Sequence, residues 1–290
     1  MELNPGPANT ASAGVGGSFA WNGDFDGALD RVVTAAQMRA IEGHLFAAGM
    51  PVAALMEKVA GRIAAWIGAQ FPLGNYRRVG IVAGPGHNGG DALVVGRELA
   101  ALGYAVQVCS PAARPKPLTA DQLRYLIYLG IPLVTEIGQL LPCDLMLDGL
   151  FGFGLERPVE GELAEVVAAM NGAPCPVVSI DLPSGLHTDT GAALGTAVRA
   201  AHTLCLGLWK RAFCQEEALA YVGQPHLIDF DIPPGAMAAV LAELPAVRRA
   251  TLPALRSQLP LPRQANTHKY RVGQLLLVAG SRPYAGAALL

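Results

Sequence analysis

Asn88, Asp148 and Ser184 put an amide carbonyl, a carboxylate and a hydroxyl into three separate glycine-containing segments, and Asp91 and Asp181 add two more carboxylates to the same segments. Oxygen donors of this mixture, together with backbone carbonyls, suit a hard cation. Because Asn88, Asp148 and Ser184 include only one carboxylate, they suit a monovalent ion better than calcium or magnesium. A carboxyl set among apolar strand ends can instead have its pKa raised and carry a proton for acid or base work. The plainer alternative for Asp148 and Asp181 is capping of the turn that follows each of them. The residues alone leave these possibilities open.

The first segment, Ala83-Gly84-Pro85-Gly86-His87-Asn88-Gly89-Gly90-Asp91-Ala92, joins a β-branched run (Val79 to Ala83) to a helical period beginning at Leu93. Its four glycines let backbone N–H groups come close to a ligand, and the helix N-terminus behind them favours an anion. It matches neither the dinucleotide fingerprint nor the Walker pattern, so a tight strand-to-helix turn is an equal reading. Ser184 invites a hydrolase reading, but Pro183-Ser184-Gly185 is not a nucleophile elbow and no histidine can be assigned as its base. His87 and His187 lie in these loops, where a lone histidine is ordinarily solvated. Lys116, between Pro115 and Pro117, is by itself an ordinary surface lysine.

The elements that must carry these residues follow from periodicity. Met38, Ile41, Leu45 and Phe46 define a helix over 34–48 with Thr34 as its cap, and Leu55, Val59, Ile63, Trp66 and Ile67 define a second from Pro51 to about Phe71. Strands are expected at 79–83, 106–109, 145–147, 177–180, 203–206 and 226–228, with helices at 119–129 and 161–170. Strands alternating with helices predict an α/β, Rossmann-like three-layer αβα fold with a central, mostly parallel sheet. The polar clusters Gly84–Asp91, Asp148–Arg157 and Asp181–Gly191 each follow a predicted strand, where open α/β sheets bind ligands, so one shared site is expected.

With 290 residues, 52% of them hydrophobic and 15% charged, the chain can bury a large core. A formal charge of -2 without basic runs argues against nucleic acid or an anionic membrane as partner. Five cysteines without a C-x-x-C pair read as small core residues of a cytoplasmic protein. The first thirty residues are rich in Gly, Ala, Ser and Asn and read as a disordered tail rather than a signal peptide, and no stretch has the length of a membrane span.

Taken together, Gly84-Pro85-Gly86-His87-Asn88-Gly89-Gly90-Asp91, Asp148-Gly149-Leu150-Phe151-Gly152-Phe153-Gly154-Leu155 and Asp181-Leu182-Pro183-Ser184-Gly185-Leu186-x-x-Asp189-x-Gly191 resemble the NAD(P)H-hydrate epimerase family, also called the YjeF N-terminal domain. Leu55-Met56-Glu57 and the Lys210-Arg211 segment resemble it too. The resemblance covers roughly residues 33–232, within an expected domain of 31–235. It implies interconversion of the R and S forms of hydrated NADH or NADPH (NADHX, NADPHX), with a potassium ion held by Asn88, Asp148 and Ser184. It assigns substrate binding to His87, Asn88, Gly89, Gly90 and Asp91, to Gly152, Phe153, Gly154, Leu155, Glu156, Arg157 and Pro158, and to Asp181. Asp181 would be the principal acid/base, assisted by Lys116. A homodimer is also implied. A nucleotide- or RNA-binding scaffold without catalysis is the competing function on the same fold.

This sequence has His87 where the family usually has Asn, Ala92 where it has Gly, and His187 where Asp is common. Residues 236–264 read as a Pro/Ala/Leu-rich linker, and 265–290 resemble the incomplete start of an ADP-dependent NAD(P)H-hydrate dehydratase domain. On that expectation the dehydratase residues lie past Leu290.

Overall fold

Seven strands form the central sheet: β2 (Arg78–Ala83), β3 (Ala105–Cys109), β4 (Leu133–Val134), β5 (Leu145–Gly149), β6 (Val177–Ile180), β7 (His202–Leu206) and β9 (Gln224–Ile228). Their order is β4-β3-β2-β5-β6-β7-β9, and every neighbouring pair is parallel. The computed structural model describes residues 30–111, 114–140, 142–242, 247–257 and 265–268. Among the described residues two further strands, β1 (Val32–Val33) and β8 (Trp209–Lys210), pair with each other in parallel, Val33 opposite Lys210. The expected parallel, Rossmann-like αβα architecture is what forms.

Strands β5 and β6 are buried throughout, as central strands covered on both faces must be, which explains their unbroken apolar runs. Side chains alternate between two cores. Ile81 and Leu147 face one side with α1 (Ala35–Ala47), α2 (Val52–Gln70), α3 (His87–Ala101) and α4 (Pro117–Tyr128). Val82 and Met146 face the other with Val166, Val167 and Met170 of α5 (Glu162–Asn171). The edges are blunted by the two-residue β4 and by Pro225 in β9.

The chain runs outward from β2 to β3 and β4, then returns to place β5 on the opposite flank of β2. That reversal opens a crevice at the carboxyl ends of β2 and β5, the position at which such sheets take ligands. Helix α1 is brought to the crevice by its own N-terminus: Thr34 and Gln37 form a capping box, and Asp189 Oδ1 accepts from Ala35 N at 2.8 Å.

Two units are distinguished, Gly27–Arg249 and one holding residues 1–26 with 250–290. In the second, the described residues include the short helix α7 (Leu252–Ser257). The stretch expected to be a linker from 236 onward instead begins within a helix, α6 (Pro234–Leu241), whose Met237 and Leu241 are buried in the main core. Pro234 at the first helical turn costs no hydrogen bond there, so prolines that suggest a linker open a helix. The expected tail lies almost wholly outside the described residues, as does all but the first part of the dehydratase-like stretch. Among the described residues no helix is long and apolar enough to cross a membrane.

Candidate active site

Helix α3 starts at His87, earlier than its apolar period, so Asn88, Gly89, Gly90 and Asp91 form its first turn rather than a free loop. Close contact is the reason. Gly84 N donates to Gly149 O at 3.0 Å, and a Cβ on Gly84 would lie 1.8 Å from Leu150 O. A Cβ on Gly89 would lie 1.9 Å from Gly84 O. The first turn of α3 therefore rests directly on the backbone leaving β2, and that backbone rests on the end of β5. Ala92, where the resemblance leads one to expect glycine, is fully buried, and its methyl occupies the space in front of Gly149.

Below this contact lies Asp148, fully buried and the penultimate residue of β5. Its Oδ1 accepts from Ser184 Oγ at 2.5 Å and Leu150 N at 3.2 Å; its Oδ2 accepts from Ser179 Oγ at 2.7 Å and Ser184 N at 2.8 Å. Burial pushes the Asp148 carboxyl up, while the Ser184 and Ser179 bonds pull it back. Ser184 Oγ also accepts from Phe151 N at 2.8 Å, stitching the β5 and β6 loops together.

Asp181, immediately after β6, has a left-handed backbone (φ 69°), a conformation few non-glycine residues adopt and one that concentrates at functional sites. Its Oδ2 accepts from Phe153 N at 2.8 Å, and its Oδ1 faces Lys210 Nζ at 2.6 Å. Lys210 has no exposed surface and also donates to Leu206 O at 2.5 Å. Burial lowers the pKa of Lys210, but Asp181, with Cys205 and Glu42 adding to it, outweighs burial and the net direction is upward. The lysine that meets Asp181 is thus Lys210. Lys116, the N-cap of α4, lines the cleft farther out, its N–H bonded to Pro85 O at 2.8 Å. The sequence alone marks the segment containing Lys210 but gives it no role; a lysine directly following the apolar Leu208-Trp209 is the available signal.

A cleft of about 990 Å³ opens over these groups, at the upper end of the range for small-molecule pockets. His87, Asn88 and Asp91 line it from α3, Gly152 to Arg157 from the β5 loop, Asp181 from the β6 loop, and Lys116 and Arg114 from the turn before α4. Gly89 and Gly90 are buried behind the lining, where Gly89 meets Gly84 and Gly90 meets Met56. Pro158 lies outside the lining, and Asp148 and Ser184 lie beneath it. His187 takes no part in the cleft; its Nδ1 accepts from Thr190 N at 3.2 Å. Arg39, Glu42 and Phe46, which the sequence motifs do not single out, enter from α1.

The donors available for an ion are oxygens. Among the described residues there is no group of three His, Cys, Asp or Glu side chains able to hold a metal. In the Asn88 amide the atom able to meet a cation is Oδ1, which would lie 3.2 Å from a Cβ on Gly152; its Nδ2 is buried without a hydrogen-bond partner and can only donate. Asn88 and Ser184 thus both reach the Phe151–Gly152 backbone, Ser184 through the bond from Phe151 N. A set of one amide, one hydroxyl and one carboxylate fits a weakly charged hard cation.

The family model described as YjeF-related protein N-terminus matches residues 52–212. The bifunctional NAD(P)H-hydrate repair enzyme Nnr of Thermosynechococcus vestitus is 54% identical over 260 residues, 89% of this chain and 51% of that protein. The NAD(P)H-hydrate epimerase of Limosilactobacillus fermentum is 36% identical over 203 residues, 69% of this chain and 97% of that one. The chain therefore spans about half the length of the bifunctional relative and nearly all of the epimerase. The crystal structure of yeast ynu0, YNL200c, has the same fold, with a TM-score of 0.60 and 24% identity over 68% of this chain and 87% of that one.

Proposed function

Because the chain belongs to the YjeF-related protein N-terminus family, we propose that it interconverts the R and S forms of hydrated NADH and NADPH. The observation that carries this is the buried Asp181–Lys210 ion pair, 2.6 Å between Oδ1 and Nζ, at the base of a cleft built from three strand-end segments. A scaffold that only held nucleotides would not need a carboxylate on strained backbone paired with a buried ammonium.

The hydrated carbon of the substrate carries a hydroxyl next to the ring nitrogen. Protonation of that hydroxyl lets the C–O bond break as the nitrogen lone pair forms a C=N bond. A water molecule then adds to the other face and gives up a proton, so the atoms balance and only the configuration changes. Asp181 is the principal proton carrier, and Phe153 N fixes one of its oxygens. Lys116 assists from the outer wall of the cleft. The first turn of α3 and the Gly152–Arg157 segment bind the dinucleotide, and positioning of this kind removes much of the entropic barrier.

A potassium ion held by Asn88, Asp148 and Ser184 would contribute electrostatic orientation of the α3 and β5 segments. Removing potassium is expected to lower the epimerisation rate, and Asn88→Ala to weaken that potassium response. An unchanged response in Asn88→Ala would remove Asn88 from the ion site. We further propose a homodimer in a reducing cytoplasm, in keeping with five free cysteines, and a dehydratase domain beginning within 265–290.

The direct test mixes R-enriched NADHX with this chain and a strictly S-specific dehydratase. Accelerated consumption of the R form is expected, and Asp181→Asn is expected to slow it by about 10²- to 10⁴-fold, the usual share of a general acid–base group, while dinucleotide binding persists. No acceleration by the parent chain with potassium present would sink the proposed activity.

A further inference from the structure

Helix α1 presents one continuous stripe to the cleft: Arg39, Glu42, Gly43 and Phe46 all line it, at the i, i+3, i+4, i+7 spacing of a single helical face. The neighbouring stripe, Met38, Ile41 and Leu45, is buried and locks the helix against the core. The cap from Asp189 to Ala35 lies two turns before Glu42 on the same face, so the loop that follows Asp181 also sets the orientation of Glu42. Glu42 falls outside the residues matched by the family model.

Glu42 faces a crowded set of charges. Arg39 flanks it on its own helix, Asp91 approaches from α3, Asp181 from the β6 loop and Lys210 from β8; His87 and Lys116 stand farther along the same cleft. Three carboxyls, Glu42, Asp91 and Asp181, therefore share one buried ammonium, which is already engaged with Asp181 at 2.6 Å. Like charges so placed oppose one another's ionisation, and burial adds to the effect at Glu42 and Asp91.

Resting on the proposed epimerase reading, we propose that Glu42 is the second proton-carrying carboxyl of the reaction, working across the cleft from Asp181. Epimerisation requires the hydroxyl to leave one face of the carbon as water and a water molecule to add to the other face with loss of a proton. One carboxyl gives its proton to the departing hydroxyl as the C–O bond breaks, and the other takes a proton from the incoming water as the new C–O bond forms. After one turnover the proton has passed from one carboxyl to the other, and the enzyme is ready for the opposite epimer; exchange with solvent resets it. The pair must hold one proton between its two members. Consistent with this, burial, partly offset by Lys210, raises the pKa of Glu42 to about 7. Burial and the nearby Asp181 and Glu42 hold the Asp91 carboxyl well above the usual range.

The expected pH dependence follows from the sign. Glu42 is protonated below about 7 and loses its proton above it, so the rate falls as pH rises through that value. It falls equally in both directions, because the equilibrium between epimers does not depend on pH. Glu42→Gln keeps size and polarity but can neither give nor take a proton. It is expected to lower kcat by about 10²-fold or more and to erase the fall near pH 7. A Glu42→Gln variant with the parent's rate and pH profile would overturn the inference while leaving the epimerase reading intact. Difference infrared titration supplies a readout without turnover. A carboxyl carbonyl band that disappears as pH rises through about 7 in the parent, and is missing from Glu42→Gln, supports the inference. The same band present in both refutes it, even if the parent proves inactive.

Discussion

Replacing Lys210 with methionine is expected to destabilise the chain by about 3–5 kcal/mol at neutral pH, because it leaves a buried carboxylate without its counter-charge. Methionine retains most of the apolar stem, so loss of packing is a minor part of the effect. Asp181, left with Phe153 N on one oxygen, would face Glu42 and Asp91 without the ammonium. Epimerisation should fall by at least about 10²-fold, since the acid–base carboxyl loses the ammonium that holds its Oδ1 in place.

The sign of the pH dependence is fixed by the upward shift of Lys210. A lysine whose folded pKa exceeds its unfolded value contributes stability that is fully present below the unfolded value, about 10.4, and is lost only as pH rises through the folded one. The parent should therefore keep this contribution across the neutral range. Urea unfolding of Lys210→Met, Asp181→Asn and the double variant checks it. Removing both charges should recover part of the loss, giving a coupling energy of about 0.5–3 kcal/mol. Simple additivity of the two single losses would mean that the ion pair is not energetically real.

How far the sequence discloses this site depends on the range of the interactions involved. Strands β2, β5 and β6 are legible because buried parallel strands need unbroken apolar runs, and Asp148 and Asp181 are conspicuous as acids at the ends of β5 and β6. The beginning of α3 is not legible. Gly89 and Gly90 each cost a helix about 1 kcal/mol relative to alanine, so propensity argues for a loop where contact with Gly84 and Met56 imposes a helix.

Lys210 is illegible as a partner of Asp181 because their meeting depends on β8 pairing with β1 and on the crossover into β7, neither marked by local pattern. The β1 and β8 strands are two residues each, too short to show a period. Glu42 is hidden for another reason: Arg39, Glu42 and Gly43 read as the solvated face of an amphipathic helix until the β6 loop is seen to turn that face into the cleft. Asp189 shows the same limit. Its motif position marks it, but its contact with Ala35 spans most of the domain.

The second large effect is expected from Gly89→Ala. In an exposed helix this change stabilises by about 0.5–1 kcal/mol, through lower backbone entropy in the unfolded chain and better helix propensity. Here the added Cβ would lie 1.9 Å from Gly84 O and 2.6 Å from Gly84 C, atoms of the main chain. Gly84 has little room to retreat, since Leu150 O fills the place where a Cβ on Gly84 would stand and Gly84 N is bonded to Gly149 O at 3.0 Å. The first turn of α3 must therefore lift off the sheet. Overpacking of this kind typically costs about 1–3 kcal/mol, and with both neighbours rigid the upper end is expected, enough to outweigh the propensity gain. Gly86→Ala is the matched control: Gly86 is the N-cap of the same helix, with φ −91° and nothing within 4 Å of where a Cβ would stand. The urea midpoint should be near that of the parent for Gly86→Ala and clearly lower for Gly89→Ala. Equal midpoints would show that α3 can move away from β2 at no cost. Because Asn88 and Asp91 flank the substituted turn, its displacement should also weaken the potassium response and dinucleotide binding together, whereas Gly86→Ala should leave the potassium response intact.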